Sequence, residues 1–156
     1  MAKLTIVALV AGLLGGCSDG PAKAAQNIPE AKAAEPLPPG EARRGSCVTD
    51  CLDYHRIEVP AGYESVSATV QYSRDGIPET QYLMLSLVVQ DAVDSRFGVW
   101  LACADDCADC EVLRVQYVFP DSSGGTYYLV VLNTATFPDE AVSGIEINYT
   151  ISWLVQ

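Results

Sequence analysis

Over residues 65–72 the chain alternates: Ser65, Ser67, Thr69 and Gln71 are interleaved with Val66, Ala68, Val70 and Tyr72. That is the period-two signature of a strand with one wet face and one dry. The same pattern returns where Leu113, Val115, Tyr117 and Phe119 enclose Arg114, Gln116 and Val118. It is clearest at the end, where Ile145, Ile147, Tyr149, Ile151, Trp153 and Val155 face one way and Glu146, Asn148, Thr150 and Ser152 the other. Apolar runs of strand length predict further strands over 54–59, 81–90, 97–102 and 126–133. Residues 83–89 are apolar except for Ser86, which suits a central strand buried on both faces. Turn residues separate the runs at Pro60-Ala61-Gly62, at Asp75-Gly76-Ile77-Pro78, at 121–125 and at Phe137-Pro138-Asp139.

Seven or eight short strands without an amphipathic helix predict an all-β fold, an antiparallel β-sandwich of jelly-roll or Greek-key connection. Trp100 and Trp153 are the expected core anchors. Tyr63, Tyr72, Tyr82 and Tyr117 are the aromatic candidates for partial exposure.

The first 45 residues follow another rule. Lys3 precedes an apolar run over 4–14, and two small residues then lead to Cys17, the layout of a signal peptide. The run falls short of the roughly 20 residues a transmembrane helix needs. Leu14-Gly15-Gly16-Cys17 resembles the lipobox of bacterial lipoproteins. That resemblance implies cleavage before Cys17, lipid on its sulfur, and a membrane anchor of more than one acyl chain. In that family an aspartate after the cysteine marks retention at the inner membrane. Ser18 stands here, which implies the outer membrane, facing the periplasm or the cell surface. From Ser18 to Gly45 the chain is rich in alanine and proline, with Ile28 and Leu37 its large apolar residues, and it reads as a disordered tether. A flexible segment of this length spans on the order of 30 Å. The expected organisation is a signal peptide over 1–16, a lipidated cysteine and tether over 17–45, and one β-sandwich domain over 46–156.

A net charge of −11 opposes nucleic-acid binding, which needs lysine and arginine against phosphate. It equally resists close contact with anionic lipid. No lysine follows Lys32, and the later cations are Arg43, Arg44, Arg56, Arg74, Arg96 and Arg114.

With Cys17 lipidated, Cys47, Cys51, Cys103, Cys107 and Cys110 remain as disulfide candidates. Outside the cytoplasm thiols oxidise, and an odd count leaves one sulfur over, open to bonding a second chain. Spacing alone leaves the connectivity open. A bridge between the two clusters closes roughly 55 residues and is worth about 4 kcal/mol in the chain-entropy model, and one within a cluster far less. A metal alternative draws on the thiols with His55, the only histidine, as soft ligands. A calcium alternative uses Asp105, Asp106 and Asp109, but without the glycine-centred spacing of an EF-hand. Neither is preferred: no metal or cofactor is expected. His55 is accompanied by no nucleophile or metalloprotease motif, so no enzyme is expected.

Residues 54–156 also resemble bacterial pre-peptidase C-terminal modules and related secreted jelly rolls. The matching stretches are Ile57-Glu58-Val59-Pro60-Ala61-Gly62, Phe97-Gly98-Val99-Trp100-Leu101, Gly125-Thr126-Tyr127-Tyr128-Leu129-Val130-Val131 and Asn148-Tyr149-Thr150-Ile151-Ser152-Trp153. The resemblance implies a module that binds or localises without chemistry of its own. The expected function is noncatalytic binding of an envelope protein or glycan at the membrane. The alternatives are a structural lipoprotein of an envelope assembly and a small metal-dependent protein using His55 with the cysteine or aspartate clusters.

Overall fold

A computed structural model describes residues 33–89, 100–104, 109–135 and 144–156. Cys17, Asp105, Asp106, Cys107, residues 97–99 and the turn at Phe137 lie outside them. Eight strands are present: β1 (Ala42–Val48), β2 (Leu52–Val59), β3 (Ser65–Tyr72), β4 (Gln81–Val89), β5 (Trp100–Cys103), β6 (Val112–Val118), β7 (Gly125–Ala135) and β8 (Glu146–Val155). Every pairing is antiparallel, and the pairs nest: β1 with β8, β2 with β7, β3 with β6, β4 with β5. Adding β3·β8 and β4·β7 closes two four-stranded sheets, β1-β8-β3-β6 and β2-β7-β4-β5. A long hairpin rolled up in this way is a jelly-roll sandwich, the all-β class that the alternation predicts.

The periodicity decides which side chains meet between the sheets. In β8, Ile147, Tyr149, Ile151 and Trp153 are buried, and the alternating Glu146 and Asn148 are exposed. Val66, Ala68, Val70 and Tyr72 of β3 and Leu113 and Val115 of β6 complete the first sheet's dry face. Ile57, Leu83, Leu85, Leu87, Leu129 and Val131 oppose them from the second sheet. Each large side chain taken fully from water contributes about 1.5–3 kcal/mol. β4 lies between β7 and β5 and is buried on both faces, as its apolar run requires. Its other side contributes Val88 to a smaller cluster with Leu52, Tyr128 and Val130 on the far face of the second sheet. Of the four tyrosine candidates for partial exposure, Tyr63 is exposed and Tyr117 half-buried, while Tyr72 and Tyr82 are buried. Both lie on strands at inward or two-sided positions.

The folded unit begins before residue 46, which corrects the expected boundary between tether and domain. Leu37 is 2% exposed and belongs to the core. Its N–H donates to the Arg56 carbonyl at 2.9 Å, and its own carbonyl accepts the Trp153 indole N–H at 2.7 Å. The Gly40 N–H donates to the Trp153 carbonyl at 2.8 Å, so residues 37–40 bridge β2 of one sheet and β8 of the other. A single leucine held by such bonds suffices, although the flanking composition has nothing else to bury. β1 follows at Ala42, inside the segment expected to be tether.

Candidate functional site

The lone histidine lies at the junction of the two sheets. Asp53, His55, Ile57 and Val59 alternate inward along β2, and His55 is 6% exposed. Tyr149 reaches across from β8 and brings its hydroxyl to 2.6 Å from His55 Nε2. The same hydroxyl donates to the Asp53 carboxylate, which also stands 3.3 Å from His55 Nε2. With its hydrogen on Asp53, the phenol oxygen is left to accept from a His55 Nε2–H, so each buried polar group has a partner. Burial first, and then the negative charge of Asp53, push the Tyr149 hydroxyl well above its ordinary 10.0, so it remains protonated. Gly45 of β1 stands opposite Tyr149, and a Cβ there would lie 2.3 Å from the tyrosine ring. The position has to be glycine for the ring to pass. The three groups hold a proton between two sheets, in a place that sequence spacing does not reveal, because Tyr149 is 94 residues from His55.

Cys47 and Cys51 form a disulfide across the corner between β1 and β2, with Cα atoms 5.5 Å apart. Cys103 and Cys110 are also disulfide-bonded. Since Cys47 and Cys51 bond each other, the bridge between the two clusters does not form. Nor are these two sulfurs thiolates, the form in which cysteine ligates a metal. Asp109 is exposed, and no cluster of three metal-ligating side chains occurs among the described residues. Beside the disulfide, Asn133 donates from its amide to the carbonyls of Cys47 at 2.8 Å and Ile145 at 3.0 Å, and accepts from Gln81 at 3.0 Å. This buried amide network fixes the same corner.

The other concentration of polar chemistry is the outer face of the first sheet. The strand register lays its outward residues in rows: Arg44, Thr150, Gln71 and Val112 in one, Ala42, Ser152, Thr69 and Arg114 in the next. Ser46 and Asn148 continue the face on one side, Leu154, Ser67 and Gln116 on the other. Two open depressions mark it. One of about 430 Å³ is lined by Arg44, Gln71, Ser73, Asn148 and Thr150, and one of about 470 Å³ by Ser67, Thr69, Arg114 and Gln116. Three strand spacings of about 4.8 Å and one two-residue step of about 6.8 Å put the Arg44 and Arg114 backbones roughly 16 Å apart.

The charges on this face differ from those of the chain. Glu146 is the one acidic residue on the four strands of this sheet, and it lies at the margin, where it accepts a hydrogen bond from Ser46. Arg43, Arg56 and Arg74 have internal duties: Arg43 donates to the Glu35 carbonyl, Arg56 pairs with Glu58 at 3.2 Å, and Arg74 holds the carbonyls of Pro78 and Gln81. Arg44 and Arg114 are exposed and make no ion pair or side-chain hydrogen bond among the described residues. Four of the five exposed large hydrophobics of the described chain, Val48, Val112, Val118 and Leu154, stand around the same face.

Sequence reading named Arg114 and Arg44 as cations but did not bring them together. Arg114 is legible as the polar member of an alternating strand. Arg44 is not, because it lies on a strand whose inward positions are Arg43, Gly45 and Cys47 and so carry little apolar signal. No family model matches this chain, and no curated protein matches it.

Proposed function

We propose that this chain is a noncatalytic binding module held at the bacterial envelope by lipid on Cys17, with the outer face of its first sheet as the binding surface. The observation that carries the reading is segregation. In a chain of net charge −11, two arginines without an ion pair among the described residues, a field of hydroxyls and amides, and four of the five exposed large apolar side chains of those residues share one face. Solubility alone does not call for such sorting, since acidic residues spread over a surface serve it as well. The disulfides support a location outside the reducing cytoplasm. Residues 33–36, ahead of the bridge at Leu37, then begin the link to the lipid.

The central test replaces Thr150 by tryptophan. Thr150 lies on the face between the arginines, beside Arg44, and a bulky aromatic is well tolerated on a strand surface. Full-length protein in detergent is expected to bind isolated cell-wall glycan, and Thr150→Trp to lose at least tenfold in affinity with its melting temperature unchanged. Equal binding by the variant, or none by the wild type to any envelope fraction, would overturn the assignment. The anchor has its own test: Cys17→Ser should move the protein from the detergent phase to the aqueous phase on phase partition, and should abolish labelling by radioactive palmitate.

A further inference from the structure

Protein interfaces carry an apolar, aromatic centre and a polar rim. The outer face of the first sheet is arranged the other way. Its centre is Thr150, Gln71, Ser152 and Thr69, while Val48, Val112, Val118 and Leu154 stand toward its margins. A second protein would leave that hydroxyl-and-amide centre to be desolvated without an apolar gain. A sugar chain supplies what the centre lacks, namely hydroxyls that both donate and accept. The two arginines add a second requirement. An exposed guanidinium has a fork of donors that matches a carboxylate or phosphate, and Arg44 and Arg114 have no such partner among the described residues.

We infer that the ligand is an acidic polysaccharide, lying diagonally across the sheet with anionic groups on Arg44 and Arg114 and neutral hydroxyls on the residues between. The inference rests on the assignment of this face as the binding surface and adds the charge class of the ligand. The backbone diagonal of roughly 16 Å, with both side chains standing off the sheet, suits acid groups recurring along one chain. Recognition is local. The overall negative charge repels a polyanion at long range, but at 0.15 M salt that repulsion is screened beyond about 8 Å, whereas a direct guanidinium pair is screened much less.

The probes are polygalacturonate, which supplies carboxylates, and phosphomannan, which supplies phosphates, each beside a neutral counterpart, dextran or mannan. The wild-type chain in detergent should bind at least one acidic polymer and bind its neutral counterpart at least tenfold more weakly. Arg44→Gln and Arg114→Gln should each weaken binding about tenfold, as loss of a charge-assisted hydrogen bond does, and the double variant more than either. Arg56→Gln removes the same charge from the other sheet and should leave binding unchanged. Equal losses for Arg56→Gln would show a general charge effect and overturn the inference. So would binding to phosphatidylglycerol vesicles in preference to both polymers. If instead neutral glycan binds as well as acidic, Thr150→Trp abolishes that binding and the arginine variants do not, the acidic specificity fails while the binding surface stands.

Discussion

At the scale of the residue, the tightest constraint is the meeting of Gly45 and Tyr149. A methyl group at 45 falls within the tyrosine ring, so Gly45→Ala should destabilise by about 1–3 kcal/mol, the usual cost of overpacking. Contact makes the effect conditional: in a Tyr149→Ala background the same change should cost little, a non-additivity that urea denaturation of the four proteins measures. The Tyr149 hydroxyl also sets a pH dependence. The unfolded chain ionises this group from about its ordinary 10.0, whereas the folded chain, through burial and the Asp53 charge, holds it protonated far higher. The raised folded value means that its contribution is complete below pH 10 and declines as pH rises above it. Stability should therefore fall above pH 10 with a slope approaching 1.4 kcal/mol per pH unit for this group. Tyr149→Phe should be less stable at neutral pH, because Asp53 and His55 lose a partner, yet show a shallower alkaline limb. Tyr54 and Tyr127, also raised by burial, preserve part of that limb, so a slope unchanged in the variant would refute the role given to Tyr149.

Among the elements, the corner from β1 to β2 has to carry the chain from one sheet to the other within a few residues. The Cys51 N–H donates to the Val48 carbonyl at 2.8 Å, Asp50 takes a left-handed φ of 69°, and the disulfide closes the bend. Because the closed loop is so short, Cys47→Ala with Cys51→Ala should cost about 2 kcal/mol in guanidinium melts, far from the loss expected of a bridge between distant clusters. The strands after this corner were legible because each has a wet and a dry face, and β4 because it has two dry ones. β1 was not. Its inward positions are occupied by Arg43, by a glycine that makes room for a ring, and by a half-cystine, and none of these registers as an apolar beat. Leu37 was visible as an apolar residue, but its burial depends on acceptors and donors of β2 and β8 that only the folded pairing supplies. The candidate surface was hidden for a similar reason. Alternation tells that Arg114 and Thr150 point outward, but the order β1-β8-β3-β6 alone puts Arg44 and Arg114 on one face three strands apart.

For the whole molecule, the nesting of pairs joins the two ends of the described chain. β8 lies between β1 and β3, so the first strand covers an edge of the last and the bridge at Leu37 caps its tryptophan. Such long-range closure makes folding cooperative and places the start of the domain where the bridge begins. A chain starting at residue 33 should melt within a few degrees of the full-length protein, since every bond described for the bridge and β1 is retained. A chain starting at residue 46 loses Leu37 and most of β1. Burial of a leucine is worth about 2–5 kcal/mol, and a buried indole N–H left without its acceptor costs about 1–3 kcal/mol more. It also leaves the edge of β8 unpaired, a ready template for a second copy. The shorter chain should show a strongly lowered transition or none by circular dichroism, together with concentration-dependent association in sedimentation. Equal melting of the two chains would return residues 37–45 to the tether. It would also detach Arg44 from the folded face, and with it the separation between cations on which acidic-glycan recognition depends.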